Sequence, residues 1–365
     1  MRRLLLACLL PLALSAAEPD QQQLQQLLKR YPEADTNKDG VLSMAEAQAH
    51  AKVIRRGKKG GGNAASALEN GTEPAGSRVK KPAPTHANVS YGPHERNQLD
   101  LWLAKSAAPT PLVVFIHGGG FVNGSKDGVN GDMIQGCLDA GVSFMAINYR
   151  FRVSAPIQDI LRDCARSIQF VRAHARKYNL DPARIASYGG SAGAGTSLWL
   201  AFHPDLADPQ SADPVLRQSS RIVAAGAINT QATYHVQRWP EYLGAPTGDW
   251  ERPSEMASFY GARSSEELSS DRMKAILADV DMLGLISSDD PPVFMFTSQP
   301  EGPTANRGHY LHHPEHARAV KRACDAVGVS ATTWFAQAEP RLEGNYHAAL
   351  REFLLPHLGV KSGTR

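Results

Sequence analysis

From about residue 86 onward, short apolar runs alternate with longer mixed segments: NQLDLWLA, PLVVFIHG, VSFMAINYRF, RIASYGGS, RIVAAGAI, PVFMFTS and ATTWFAQ. Runs this short and this apolar read as strands buried on both faces. Ahead of the fourth run, Ile157, Ile160, Leu161, Cys164, Ile168 and Val171 fall on one helical face. Strand and helix in alternation predict an α/β fold, a mainly parallel sheet covered by helices, over residues 85–360. Residues 232–288 break the rhythm, with Trp239, Tyr242, Trp250, Phe259 and Tyr260 set among prolines, glycines and charges. That segment reads as an insertion covering the carboxyl ends of the strands. The chain shows no internal repeat.

Upstream the pattern differs. Leu24, Leu27, Leu28 and Tyr31 form one helical stripe, and Met44, Ala47, Ala51 and Ile54 a second, so residues 18–55 read as helix, loop, helix. Residues 56–84 are basic and then rich in Gly, Pro, Asn and Ser with no apolar period, the composition of a flexible linker. At the start, two arginines, an apolar run from Leu4 to Leu14 and Ser15-Ala16-Ala17 form a secretory signal over residues 1–17. That run is too short to span a bilayer. Cys8 as a lipidation site would leave almost no apolar segment ahead of it. The expected destination is the periplasm or the extracellular space.

Composition narrows the functional classes. With 365 residues, 42% of them hydrophobic, the chain can bury one large core. Its 39 basic and 36 acidic side chains are mixed along the sequence, so nothing predicts nucleic-acid binding, and no later run predicts a membrane span. Cys137, Cys164 and Cys324 are too sparse for a disulfide framework and read as small buried hydrophobes, with one disulfide left open.

The loop DTNKDGVLSMAE has the spacing of a calcium site. Asp35, Asn37 and Asp39 occupy positions one, three and five, Gly40 permits the turn, and Val41 offers its carbonyl. Ser43 stands at position nine and Glu46 closes the shell at twelve. Hard Ca²⁺ takes six to eight oxygens, and this spacing converges them. Ser43 and Glu46 also form a capping-box pair, which is compatible with metal binding. With a helix on each side and a final Glu, the loop resembles an EF-hand, and the expected role of the Ca²⁺ is structural.

Two further motifs carry chemistry. Gly189-Gly190-Ser191-Ala192-Gly193 lies between a strand and a helical segment, the setting of a G-x-S-x-G nucleophile elbow. Alone it permits a plain glycine-rich turn. Upstream, His117-Gly118-Gly119-Gly120 ends another strand, where glycine backbone can aim N–H groups at an oxyanion. The pair in this order points to hydrolase chemistry.

FIHGGGFVNGSK, AINYRF and DPARIASYGGSAGAG, with the spacing between them, resemble α/β-hydrolases of the carboxylesterase group, which includes hormone-sensitive-lipase-like and feruloyl or acetyl-xylan esterase-like enzymes. The resemblance implies the α/β-hydrolase fold, Ser191 as nucleophile, and Gly118, Gly119 and Ala192 as oxyanion donors. It also implies an acid after the next-to-last strand, where Glu301 falls, and a base after the last strand, where His347 opens the final helix. His117 is structural in such motifs. His309, His312, His313 and His316 form a separate cluster, read either as a metal site or as a loop and helix start bordering the active-site cleft.

The expected activity is therefore that of an exported serine carboxylesterase that forms an acyl-enzyme, needs no cofactor for catalysis, and acts on a small-molecule or glycan ester. Two rivals stand beside it. One is a serine peptidase on the same fold, and the other a catalytically silent binding protein in which acid and base have drifted.

Overall fold

The computed structural model describes residues 35, 40–43, 46, 80–245, 253–264, 266–336 and 346–360. The expectations for the signal segment, most of the linker, Asn37 and Asp39 lie outside them. The chain divides into two compact units, Met1–Asn63 and Ala64–Arg365.

The second unit is built on one eight-stranded sheet in the order β1-β2-β4-β3-β5-β6-β7-β8. β1 is His86–Ser90, β2 Gln98–Trp102, β3 Thr110–Ile116, β4 Ser143–Ile147, β5 Leu180–Gly190, β6 Ala225–Ile228, β7 Val293–Thr297 and β8 Ala331–Phe335. β1 and β2 run antiparallel to their neighbours, and β4 through β8 pair in parallel around β3. β3 to β8 therefore end at one common edge, which is where α/β sheets place ligand sites.

The unbroken apolar runs follow from burial on both faces. Leu112, Val114 and Ile116 of β3 point into one core, while Val113 and Phe115 point into the other. Met145 and Ile147 of β4 alternate in the same way with Phe144 and Ala146. Such alternation is the period-two geometry of a strand. The first core is covered by α2 (Ile157–Ala173), α3 (Ala192–Phe202), α4 (Pro253–Phe259), α5 (Asp271–Asp279) and α7 (Pro314–Val327). α1 (Gly131–Asp139) and α8 (Tyr346–His357) cover the second. The sequence-predicted stripe from Ile157 to Val171 lies wholly within the first core.

β1 has no counterpart in the expected elements. HANVS is largely exposed, with Asn88 at φ 54° and a register shift against β2, so it carries no hydrophobic period to read. Cys137, Cys164 and Cys324 are all free thiols and buried, which closes the disulfide alternative. Among the described residues no helix is long and apolar enough to cross a membrane.

Candidate active site

β5 ends at Gly190, α3 begins at Ala192, and Ser191 sits on the turn between them at φ 51°, ψ −115°. A side chain rarely adopts this backbone, and such strain persists only where the surroundings hold it. Ser191 N–H donates to Ile228 O at 2.8 Å, while Ser191 O accepts from Ala194 N at 2.9 Å. The flanking glycines answer a steric demand. A Cβ at Gly193 would run into the Ile116 and His117 carbonyls, and one at Gly189 into Ile116 O and the Gly193 backbone. The strand-to-helix turn can pass beneath β3 only without those carbons.

The glycine-rich loop after β3 is braced from behind. His117 is fully buried and stacks on Tyr149 with ring centroids 4.2 Å apart. Its Nδ1 lies 2.7 Å from Gly118 O and its Nε2 3.5 Å from Arg96 Nη2, so Nδ1–H donates and Nε2 accepts. Burial pushes its pKa down to about 3, partly offset by the bond to Gly118. Tyr149 O–H donates to His117 O at 2.6 Å, and Val122 and Asn123 N–H both donate to Gly119 O. The N–H groups of Gly118, Gly119, Gly120 and Ala192 donate to no backbone carbonyl among the described residues. Gly120 and Ala192 also line the cavity at Ser191, whereas Gly118 and Gly119 do not.

Ser191 Oγ makes its hydrogen bond to His312 Nε2, at 2.7 Å. His312 is the last residue of α6 (Arg307–His312), in the segment between β7 and α7. Its Nδ1 stands 3.0 Å from Gly308 O, a carbonyl that can only accept, so the proton belongs on Nδ1 and Nε2 offers its lone pair to the serine. Burial pushes its pKa down to about 4, with the Gly308 carbonyl opposing, so the ring is neutral at pH 7.

The partners expected from the sequence lie elsewhere. Glu301 is half exposed and forms a two-point pair with Arg318, Oε2 to Nη1 at 2.9 Å and Oε1 to Nη2 at 2.5 Å. That guanidinium holds the Glu301 carboxyl below its ordinary range. The carboxylate is thus committed away from His312. His347 is buried at the start of α8, its ring 4.1 Å from that of Tyr346, which stacks in turn on Phe296. The hydrogen bond expected between His347 and Ser191 is made instead by His312.

The remaining histidines of the cluster hold backbone. His309 Nε2–H donates to Pro300 O at 2.8 Å, His313 Nε2–H to Gly302 O at 2.9 Å and His316 Nε2–H to Tyr310 O at 3.1 Å. Among the described residues no group of His, Cys, Asp and Glu is arranged to hold a metal ion. His312 was legible only as a member of a histidine-rich stretch beside the cleft. What selects it is the turn capped by Asn306, whose side chain accepts from His309 N.

The cavity over Ser191 measures about 220 Å³. Phe121, Tyr234, Trp239, Met256, Phe259 and Leu311 give it apolar walls, and Gln231, Arg152 and Arg307 are polar. Tyr234, Trp239, Met256 and Phe259 come from the segment that interrupts the strand rhythm. Tyr234 O–H also donates to Ala192 O at 2.5 Å, tying that segment to the elbow.

In the first unit, Gly40 has φ 81° and donates its N–H to Asp35 Oδ2 at 2.9 Å. Glu46 Oε2 accepts from Ser43 N at 3.1 Å, and Ser43 Oγ accepts from Glu46 N at 3.2 Å, which is the reciprocal capping pair. Asp35 Oδ1 is buried with no hydrogen-bond donor among the described residues.

Residues 99–300 match the family model BD-FAE, more than half of the chain. The chain belongs to the BD-FAE family. Its relatives include the "Probable isoprenylcysteine alpha-carbonyl methylesterase" of Arabidopsis thaliana, 33% identical over 38% of this chain and 29% of that protein. A second is the "Probable carboxylic ester hydrolase LipM" of Mycobacterium tuberculosis, 32% identical over 38% of this chain and 32% of that protein. The match thus spans less than a third of either relative's length. Among solved structures, a truncated carbohydrate esterase from gut microbiota superposes with a TM-score of 0.58 at 20% identity, over 75% of this chain and 96% of its own. The apo form of Thermogutta terrifontis esterase 2 does so with a TM-score of 0.54 at 21% identity, over 78% of this chain and 98% of its own. This BD-FAE chain therefore shares the α/β-hydrolase fold of those esterases.

Proposed function

We propose that this BD-FAE chain is an exported serine carboxylic-ester hydrolase in which Ser191 is the nucleophile and His312 the general base. The hydrogen bond from Ser191 Oγ to His312 Nε2 carries the reading. Ser191 attacks the ester carbonyl and passes its proton to Nε2, and the imidazolium then gives that proton to the departing alcohol. A water attacks the acyl-enzyme with the same base, returning Ser191 and releasing the acid. N–H groups of Gly119, Gly120 and Ala192 receive the oxyanion, Gly120 being a change from the Gly118 expected by resemblance. The Gly308 carbonyl orients the imidazole, the part a carboxylate plays in a full triad.

A neutral, hydrogen-bonded base favours this reading over a silent binding protein, in which nothing would keep Nε2 on the serine. The relatives named as esterases and ester hydrolases favour it over a peptidase. A cavity of about 220 Å³, below the span of roughly 300–1,000 Å³ usual for drug-sized ligands, suits a short acyl group, such as that of an acylated glycan. The leader at residues 1–17 supplies the export signal. In the first unit, Asp35, Asn37, Asp39, Val41, Ser43 and Glu46 hold Ca²⁺ as a structural ion. The orphaned Asp35 Oδ1 and the left-handed Gly40 fit that role.

A p-nitrophenyl acyl series tests the activity. Acetate and butyrate esters should turn over, and Ser191→Ala should remove at least about a thousandfold of kcat. Turnover that survives Ser191→Ala would sink the proposal.

A further inference from the structure

Two arginines line the cavity that contains Ser191, and among the described residues neither has a counter-charge. Arg152 lies in the loop after β4 and ties its own N–H to Phe121 O at 2.8 Å, so its backbone is fixed to the oxyanion loop. Arg307 opens α6, the helix that ends in His312. Both line the cavity, and among the described residues no acidic side chain does. Arg152 is half buried and Arg307 exposed.

Their neighbours are treated differently. Arg150, two residues before Arg152, is clamped by Asp163 at 2.8 Å, and Arg318 by Glu301. Arg238, within the insertion, is held by Asp281 and Glu241. Among the described residues, Arg152 and Arg307 take part in no ion pair and in no side-chain hydrogen bond. The half-buried guanidinium of Arg152 has lost part of its hydration, which a bound anion offsets, while Arg307 adds a second positive charge at the cavity. The planar guanidinium fork matches a carboxylate, and the two come from separate elements, Arg152 from the loop bonded to Phe121 and Arg307 from the helix that carries His312.

We propose that this cavity selects esters that carry a carboxylate, with Arg152 and Arg307 binding the anion while Ser191 attacks the ester carbonyl. The inference rests on the esterase reading above and names the substrate class of that site. A carboxylate could sit on the acyl side, as in a half-ester of a dicarboxylic acid, or on the alcohol side, as in an acylated uronic acid unit.

Matched substrate pairs separate these sources and test the idea on the full-length protein. On the acyl side, mono-p-nitrophenyl glutarate is compared with the p-nitrophenyl ester whose far end is the primary amide. On the alcohol side, 4-acetoxybenzoate is compared with 4-acetoxybenzamide. In at least one pair, kcat/KM for the anion should exceed that for the amide by about tenfold or more, mainly through KM, and the ratio should shrink as salt rises. Arg152→Gln and Arg307→Gln should each lower that ratio by about tenfold, and Arg307→Lys should restore part of it. Ratios near one in both pairs, or ratios that both Gln variants leave intact, would overturn the inference. Absence of turnover on all four esters would instead overturn the esterase reading, so the two failures are distinguishable.

Discussion

Ser191 and His312 are separated by 121 residues, yet Oγ and Nε2 lie 2.7 Å apart, and the imidazole is oriented by a carbonyl of its own helix rather than by a carboxylate. Asp and Glu help a base by stabilising the imidazolium. Here Gly308 O, as a dipole, and the carboxyl end of α6 supply weaker stabilisation of the same sign. In the proposed mechanism, the group that orients the base is therefore a main-chain carbonyl and not a carboxylate.

Replacement of each candidate base discriminates between them. His312→Ala should lower kcat by about a hundred- to ten-thousandfold, the usual contribution of a general base, while circular dichroism stays native. His347→Ala should cost stability, because a buried ring against Tyr346 is lost, and leave kcat within about threefold. Esterase assays with thermal melts on both variants check this, and the reverse pattern would return the base to His347.

Glu301→Gln bears on the acid. Its two-point pair with Arg318 is half exposed, and exposed pairs contribute about 1 kcal/mol or less. Stability and kcat should both change little, as read by urea denaturation and initial rates. A hundredfold loss of kcat would show that Glu301 reaches the base during turnover.

The acid limb of the rate profile should be displaced. Burial holds His312 at about 4 against an ordinary value near 6.5, so the base is already neutral at pH 5.5. The limb of kcat/KM should therefore fall near pH 4 rather than pH 6.5. Stability has the same sign. His117 and His316, both at about 3 through burial, bind protons more readily when unfolded. Stability should be complete above about pH 6.5 and be lost progressively as pH falls toward 3. Melting temperature against pH, compared with the rate profile, separates the two effects.

Gly193→Ala should damage the fold before it damages chemistry. The added methyl has no place between α3 and the end of β3, since both Ile116 O and His117 O stand in its way. A loss of about 1–3 kcal/mol or more is expected. Gly190→Ala, facing open space, should fold normally. Comparison of the two melting temperatures tests the elbow geometry directly.

Calcium binding is checked independently of esterase activity. Titration calorimetry should detect Ca²⁺ binding that Asp35→Ala or Glu46→Ala removes, with kcat on a short ester unchanged. Native protein that takes up no Ca²⁺ would defeat the proposal.

Much of this molecule is legible in local pattern. The runs that became β2 to β8, the stripe of α2 and the elbow at Ser191 each depend on neighbours in sequence, through period-two burial, helical spacing and the small residues a tight turn demands. β1 escaped notice because an exposed edge strand needs no apolar period. Choice of the base is different in kind. Glu301 and His347 stood at the right ends of the right strands, but a strand end fixes only a neighbourhood some way across, and a hydrogen bond needs ångström placement. Asn306 caps a short helix, the helix presents His312, and Glu301 is paired with Arg318.

The sequence by itself determined a two-sided parallel sheet, a strained serine turn and a glycine-rich loop, because each is enforced by sterics and burial within a few residues. Only the tertiary structure decided which histidine meets that serine and which arginines line the cavity. Those relations are sums over distant packing contacts, and no single stretch of the chain contains them.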